Sequence, residues 1–90
     1  MTRTFKDQDD DYLAWCEDHP DGFVVNTTRT CSPSYMKLHR ATCRTINQLF
    51  GRGTQLTGDY IKVCATDLTE LDRWASRHGG ALDRCGLCLR

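Results

Sequence analysis

The hydrophobic and polar positions of this chain follow two periods, and the helical period is the clearer one. Apolar residues recur every three or four positions in two segments, which predicts helices over about 10–18 and about 67–78. The residues that show this period are Tyr12, Trp15, Cys16 and His19 in the first segment and Leu68, Leu71, Trp74 and Ala75 in the second. A shorter helix of about two turns is predicted over 43–50, with Ile46 and Leu49 at helical spacing.

Three short segments show the strand period instead. They are rich in β-branched and aromatic residues, which predicts strands over about 23–27, 35–39 and 60–64, the first two paired antiparallel. Residues 1–8 show neither period and are predicted to be a loose start. The predicted fold class is therefore a small α+β domain, in which a three-stranded antiparallel sheet carries three or four short helices and one structural zinc closes the fold.

The length and the cysteine count change how this fold must be stabilised. Ninety residues make one domain, 1–90, with a thin core, and six cysteines are many for such a chain. The polar N-terminal residues predict no signal peptide, and no apolar run is long enough to span a membrane. We therefore expect a cytoplasmic protein whose cysteines serve a metal site, with a secreted disulfide framework as the alternative.

Two short motifs carry the metal chemistry. Cys85 and Cys88 form a Cys-x-x-Cys pair, and His39 and Cys43 are separated by three residues, about one helical turn. Each spacing lets one short segment aim two ligands at one ion, and three sulfurs with one imidazole suit tetrahedral Zn²⁺. The sequence therefore predicts a zinc site made of His39, Cys43, Cys85 and Cys88.

The other cysteines leave alternatives open. Cys64 ends a predicted strand and could replace His39 as the fourth ligand. Cys31 lies in a loop, as a further ligand or an exposed thiol, whereas Cys16 is interpreted as a small core residue on the first helix. Cys85-x-x-Cys88 could also be a redox dithiol, but a thioredoxin-type motif precedes a helix, and only two residues follow this one.

No catalytic constellation can be assembled from the remaining residues. There is no glycine-rich phosphate loop, no paired carboxylate setting and no Ser/His/Asp set. Four protein ligands also favour a closed, structural ion over a catalytic one, which keeps a position for water. We therefore expect a protein that is not an enzyme.

Charge is balanced overall but uneven along the chain. Residues 1–21 hold seven acids and two bases, and residues 22–90 hold ten bases and five acids. An ordinary solvated surface explains this, but basic residues between aromatic ones also suit nucleic acid. The candidates for nucleic-acid contact are Lys37, Arg40, Arg44 and Lys62, with Tyr35 and Tyr60 among them.

The order of parts from His39 to Cys88 resembles the N-terminal metal-binding domain of the Ada DNA-repair protein. That domain has a ligand pair at a strand end, then a strand, a helix and a Cys-x-x-Cys pair. The resemblance covers about residues 35–90 and implies one zinc ion and a basic surface on DNA, with Arg40 and Arg44 as candidates. In that family the first ligand is a cysteine that accepts a methyl group. His39 stands there in this chain, and an imidazole cannot replace a sacrificial thiolate.

Three functions follow as hypotheses. The first is a non-enzymatic zinc module that binds DNA or accompanies a DNA-acting protein. The second is a protein-interaction adapter with a structural zinc, which would use the acidic first helix or the aromatic strand face. The third is a thiol-based acceptor or redox protein that would use Cys31 or Cys64.

Overall fold

The structure is a computed structural model that describes residues 2–43, 46, 57, 60–86 and 88–89. Within these residues the chain forms five strands and two helices. In chain order they are β1 (Arg3–Phe5), α1 (Asp9–Asp18), β2 (Phe23–Thr28), β3 (Met36–Arg40), β4 (Tyr60–Ala65), α2 (Leu68–Arg77) and β5 (Asp83–Arg84).

The strands form one mixed sheet in the order β1-β4-β2-β3-β5. β2 lies at its centre and pairs antiparallel with both β3 and β4, and β1 pairs antiparallel with β4. β5 is the exception, because it runs parallel to β3 at the edge of the sheet. This parallel edge brings the C-terminal segment back to the end of β3.

One helix covers each face of the sheet. Successive strand residues point to opposite faces, so Val24 and Val25 belong to different cores. Val24 packs with α1, and Val25 packs with α2. Each helix buries its predicted apolar face, which includes Trp15 in α1 and Trp74 in α2.

The second helix begins and ends as its sequence predicts. The Asp67 side chain accepts a hydrogen bond from the Thr69 N–H at 2.9 Å. Beyond its C-terminus, Gly79 has a φ of +76°, a left-handed conformation that favours glycine. The Gly80 N–H then donates to the Ala75 carbonyl at 2.9 Å.

The predicted fold class is wrong in two respects. The sheet is five-stranded and mixed rather than three-stranded and antiparallel, and the described residues contain two helices rather than three or four. The two additional strands are short: β1 buries only Phe5, and both residues of β5 are exposed. Neither strand has enough buried residues to show a hydrophobic period in the sequence. The predicted loose start therefore contains β1, and most of the predicted helix over 43–50 lies outside the described residues.

The helices of the described part of the chain are also short. None of them is long and apolar enough to cross a membrane.

Candidate metal centre

The structure brings together the four residues of the two predicted ligand pairs. His39, Cys43, Cys85 and Cys88 each offer one ligand atom, and these atoms all lie within 4.8 Å of one another. The first three residues are buried and Cys88 is partly exposed. The cluster lies where the end of β3 meets the segment that follows β5, and it could hold a metal ion.

Pairing between β3 and β5 places the Cys-x-x-Cys pair. Lys37 is in register with Asp83, and Leu38 is in register with Arg84. The Cys85 N–H continues this pattern and donates to the Leu38 carbonyl at 2.8 Å. Cys85 is thereby fixed beside the end of β3, close to His39.

A turn then brings Cys88 back to the same place. The Leu89 N–H donates to the Cys85 carbonyl at 3.0 Å, which closes the turn. The Arg40 N–H donates to the Cys88 Sγ at 3.3 Å, and the Arg40 Nε donates to the Cys88 carbonyl at 3.0 Å. Arg40 therefore holds Cys88 through both its backbone and its side chain.

Cys43 reaches the cluster through the turn that ends β3. Its N–H donates to the Arg40 carbonyl at 2.9 Å, and the Ala41 N–H donates to the Gly22 carbonyl at 2.9 Å. Gly22 lies under the Trp15 ring, where an added Cβ would come within 2.6 Å of a ring carbon. The close packing of α1 on Gly22 thus supports the turn that carries Cys43.

The surroundings of His39 fit a metal ligand. Its Nδ1 is buried and has no hydrogen-bond partner among the described residues. Burial, reinforced by the positive charges of Lys62 and Lys37, lowers the pKa of His39 to about 4. The imidazole is therefore neutral at physiological pH, the form that coordinates metals. A bound ion would also supply the partner that a buried polar nitrogen requires.

The thiols of the cluster interact with one another. Burial raises the pKa of Cys88 to about 11, and hydrogen bonds with the Cys43 and Cys85 thiols act in the same direction. The Arg40 backbone N–H opposes this shift. Without a metal the Cys88 thiol is therefore protonated at neutral pH, so metal binding must displace its proton.

The spacing of the four atoms is close to that of a tetrahedral site. Zn–S bonds of about 2.3 Å place neighbouring sulfurs of a tetrahedron roughly 3.8 Å apart. The observed separations reach at most 4.8 Å, which is somewhat longer than this distance. A small movement of each side chain would bring the four atoms to tetrahedral spacing. Three thiolates with one imidazole are a donor set typical of zinc.

Cys64, the alternative fourth ligand, is not part of this cluster. His39 and Cys64 are both in register with Val24 of β2, which lies between them in the sheet. Cys64 is fully buried, and its burial raises the pKa of its thiol. Cys16 is also buried on this face, as predicted, and its pKa is likewise raised by burial.

Cys31 lies outside the cluster as well. It is partly buried in the loop after β2 and packs against the core on the α2 side of the sheet.

Each of the three described basic residues predicted for nucleic-acid contact has a partner within the protein. Lys37 makes an ion pair with Asp83 at 3.2 Å, and Arg40 binds the Cys88 segment. Lys62 is only 4% exposed, and its Nζ donates to the Asn26 Oδ1 at 2.8 Å. The fourth residue, Arg44, lies outside the described residues.

The burial of Lys62 does not support its predicted role in nucleic-acid contact, and the strand pattern explains this burial. The strand alternation places Lys62 on the same face as Cys64, and α1 covers that face. An amine that is buried there cannot reach a backbone phosphate. The role of Arg40 beside Cys88 was also missed, because only the pairing of β5 with β3 brings these two residues together.

Comparisons of the chain with protein-family models, with curated proteins and with solved structures find no match. The resemblance to the Ada metal-binding domain therefore stays a prediction, supported by the order and spacing of its motifs.

Proposed function

We propose that this chain is a non-enzymatic module built around one structural zinc ion, held by His39, Cys43, Cys85 and Cys88. The convergence of these four side chains within 4.8 Å carries the proposal. The neutral, unpartnered Nδ1 of His39 supports it, since among the described residues nothing else accounts for a buried imidazole at this place. Four protein ligands fill a tetrahedral ion, so no position remains for a substrate.

The ion would join the C-terminal segment to the end of β3. Without it, that segment is held by β5, which is two residues long, and by hydrogen bonds from Cys85 and Arg40. Structural zinc contributes about 10–16 kcal/mol of apparent binding free energy at neutral pH. That is comparable to the whole free energy of unfolding of a typical native protein, about 5–15 kcal/mol.

Metal analysis tests this proposal directly. The purified protein should contain one zinc per chain, and His39→Ala and Cys88→Ser should each lower the zinc content or the zinc affinity. Cys31→Ser is the matched control, because it removes a partly buried thiol outside the cluster. Unchanged zinc binding in both cluster variants would contradict the proposal.

We further propose that the module contacts single-stranded nucleic acid through an aromatic pair on its surface. Tyr35 and Tyr60 are 39% and 47% exposed, and their ring centroids are 5.5 Å apart. Asn26 donates from its Nδ2 to the Tyr35 hydroxyl at 3.3 Å, which orients one ring. Exposed tyrosine rings provide stacking surfaces for unpaired bases. This pair, rather than the predicted basic residues, favours a nucleic-acid role.

Fluorescence anisotropy with labelled oligonucleotides tests this second proposal. Tyr60→Ala should weaken binding to a single strand by about 1–3 kcal/mol, the usual value of one stacked base. Tyr60→Phe keeps the ring and should bind like the unchanged protein. Binding to a single strand that is absent at low salt, or that survives Tyr60→Ala unchanged, would contradict the nucleic-acid role and leave the zinc proposal standing.

A further inference from the structure

The three sulfurs of the metal cluster differ in their access to solvent. Cys43 and Cys85 are 5% and 4% exposed, whereas Cys88 is partly exposed. A small oxidant that arrives from solvent therefore meets the Cys88 sulfur first. Thiolate oxidation is selective for ionised and accessible sulfurs, and a metal ion keeps a coordinating thiol deprotonated.

A second thiol is in position to react with an oxidised Cys88. The Sγ atoms of Cys85 and Cys88 belong to the group whose members lie within 4.8 Å of one another. A disulfide bond is about 2.05 Å long, so the pair must approach by a few ångströms. Both cysteines lie on one short segment with two residues between them, so this approach can occur without separating β3 from β2.

We propose that Cys85 and Cys88 form a peroxide-sensitive clasp, whose oxidation to a disulfide releases the metal and frees the C-terminal segment. This inference rests on the proposed zinc site and adds its regulation. Cys88 is the sulfur that reacts with peroxide, and Cys85 is the sulfur that resolves the product.

The chemistry balances in two steps. The Cys88 thiolate attacks one peroxide oxygen, the O–O bond breaks, and the hydroxide that leaves takes a proton to become water. The Cys85 thiolate then attacks the Cys88 sulfenic sulfur, an S–S bond forms, and the second hydroxide leaves and is protonated. In sum, two thiolates lose two electrons and one hydrogen peroxide is reduced to two waters.

Loss of two ligands leaves only His39 and Cys43 for the ion. The segment after β5 then depends on the two-residue pairing of β5 with β3, on the exposed Lys37–Asp83 pair, and on the hydrogen bonds of Cys85 and Arg40. Leu89 also packs on the α2-side core, so release of this segment would uncover apolar surface. Oxidation would thereby expose apolar surface and increase the mobility of the segment after β5.

Hydrogen peroxide added to the zinc-loaded protein tests the clasp. The zinc content is measured first, which decides the proposed function separately. A chromophoric zinc chelator then follows metal release, a thiol reagent counts the remaining thiols, and mass spectrometry after dimedone and differential alkylation locates the products. We expect one zinc released for every two thiols lost, a Cys85–Cys88 disulfide, and a dimedone adduct on Cys88. Dithiothreitol with added zinc should restore the starting state.

The variant Cys31→Ser is the matched control. Cys31 is the other partly exposed thiol among the described residues, and its loss should leave zinc release unchanged. The inference is overturned if the protein binds one zinc and retains it while peroxide oxidises Cys31. It is also overturned if zinc leaves with a disulfide that joins Cys16 to Cys64, or with no disulfide at Cys88.

Discussion

The two faces of the sheet carry one helix each, but they bury different chemistry. The α2 side is an apolar core of aliphatic residues around Leu71 and Trp74. The α1 side buries His39, Lys62 and two cysteines that lie outside the metal cluster, and it ends in that cluster. An apolar core needs only packing, whereas buried polar groups need partners. The comparison indicates that the α2 side closes by packing alone, and it agrees with the proposal that the α1 side is stabilised by a bound metal.

The largest expected effect is that of removing the metal. A chelator that strips zinc should lower the melting temperature and should loosen the α1 side first. Hydrogen exchange should show faster exchange of the amides of α1 and of residues 85–89 than of the amides of α2. Complete zinc removal with no change in melting temperature or exchange would break the comparison.

A truncation in the apolar face gives the next largest effect. Leu71 is fully buried, and Leu71→Ala should cost about 2–5 kcal/mol of unfolding free energy. Because the metal site lies on the other face, the Co²⁺-substituted protein should keep the absorption spectrum of its thiolate ligands. Asp72→Ala, at an exposed position of the same helix, is the control and should change stability by less than about 0.5 kcal/mol. A changed cobalt spectrum in Leu71→Ala would show that the two faces are coupled.

A smaller, pH-dependent effect should come from Lys62 on the α1 side. Burial lowers the pKa of Lys62 to about 8 from 10.5, although Asp9 and two thiols oppose the shift. Between about pH 8 and pH 10.5 the unfolded chain therefore binds more protons, so the contribution of Lys62 to the free energy of unfolding rises with pH. Below pH 8 the amine is charged in both states, and its desolvation penalty is fully present.

Lys62→Met removes this charge and keeps most of the volume. The variant should be more stable than the unchanged protein at pH 7 by on the order of 1–3 kcal/mol, less the loss of the bond to Asn26. The difference should narrow as pH approaches 10.5, because Lys62 then loses its charge in the unfolded chain as well. Denaturant unfolding at pH 7 and pH 10 measures this. A difference that is independent of pH would contradict the assignment.

The smallest effect should come from the exposed ion pair between β3 and β5. The Lys37 and Asp83 side chains are 33% and 75% exposed, so Lys37→Ala should cost less than about 1 kcal/mol. Zinc content should not change, because the backbone bonds of Cys85 and Cys88 hold the segment independently of Lys37. Metal analysis measures the zinc content of this variant. A loss of zinc would show that the backbone hydrogen bonds cannot place the Cys-x-x-Cys pair without the ion pair of Lys37.

The segments with a long hydrophobic period were predictable from the sequence. The two helices and the strands β2, β3 and β4 lie within a residue or two of their predicted bounds, because each presents an apolar face. β1 and β5 could not be found in this way, since three and two mostly exposed residues carry no period. Their existence depends on partners that are distant in sequence.

The ligand pairs were predictable for a different reason, because Cys-x-x-Cys and His-x-x-x-Cys spacings reflect local geometry. The meeting of the two ligand pairs depends on the parallel pairing of β5 with β3. The residue types of Asp83 and Arg84 do not predict this pairing. The burial of Lys62 was missed because an isolated lysine in a strand is usually exposed. Cys64 lies on the same strand face as Lys62, and an amphipathic helix covers that face. This pattern could have predicted the burial of Lys62.

X-ray absorption at the zinc edge tests the central claim most directly. The zinc-loaded protein should show three sulfur neighbours at about 2.3 Å and one nitrogen neighbour at about 2.0–2.1 Å. The variant His39→Cys should change this shell to four sulfurs. A shell of nitrogen and oxygen, or a shell that is the same in both proteins, would contradict a zinc site made of His39, Cys43, Cys85 and Cys88.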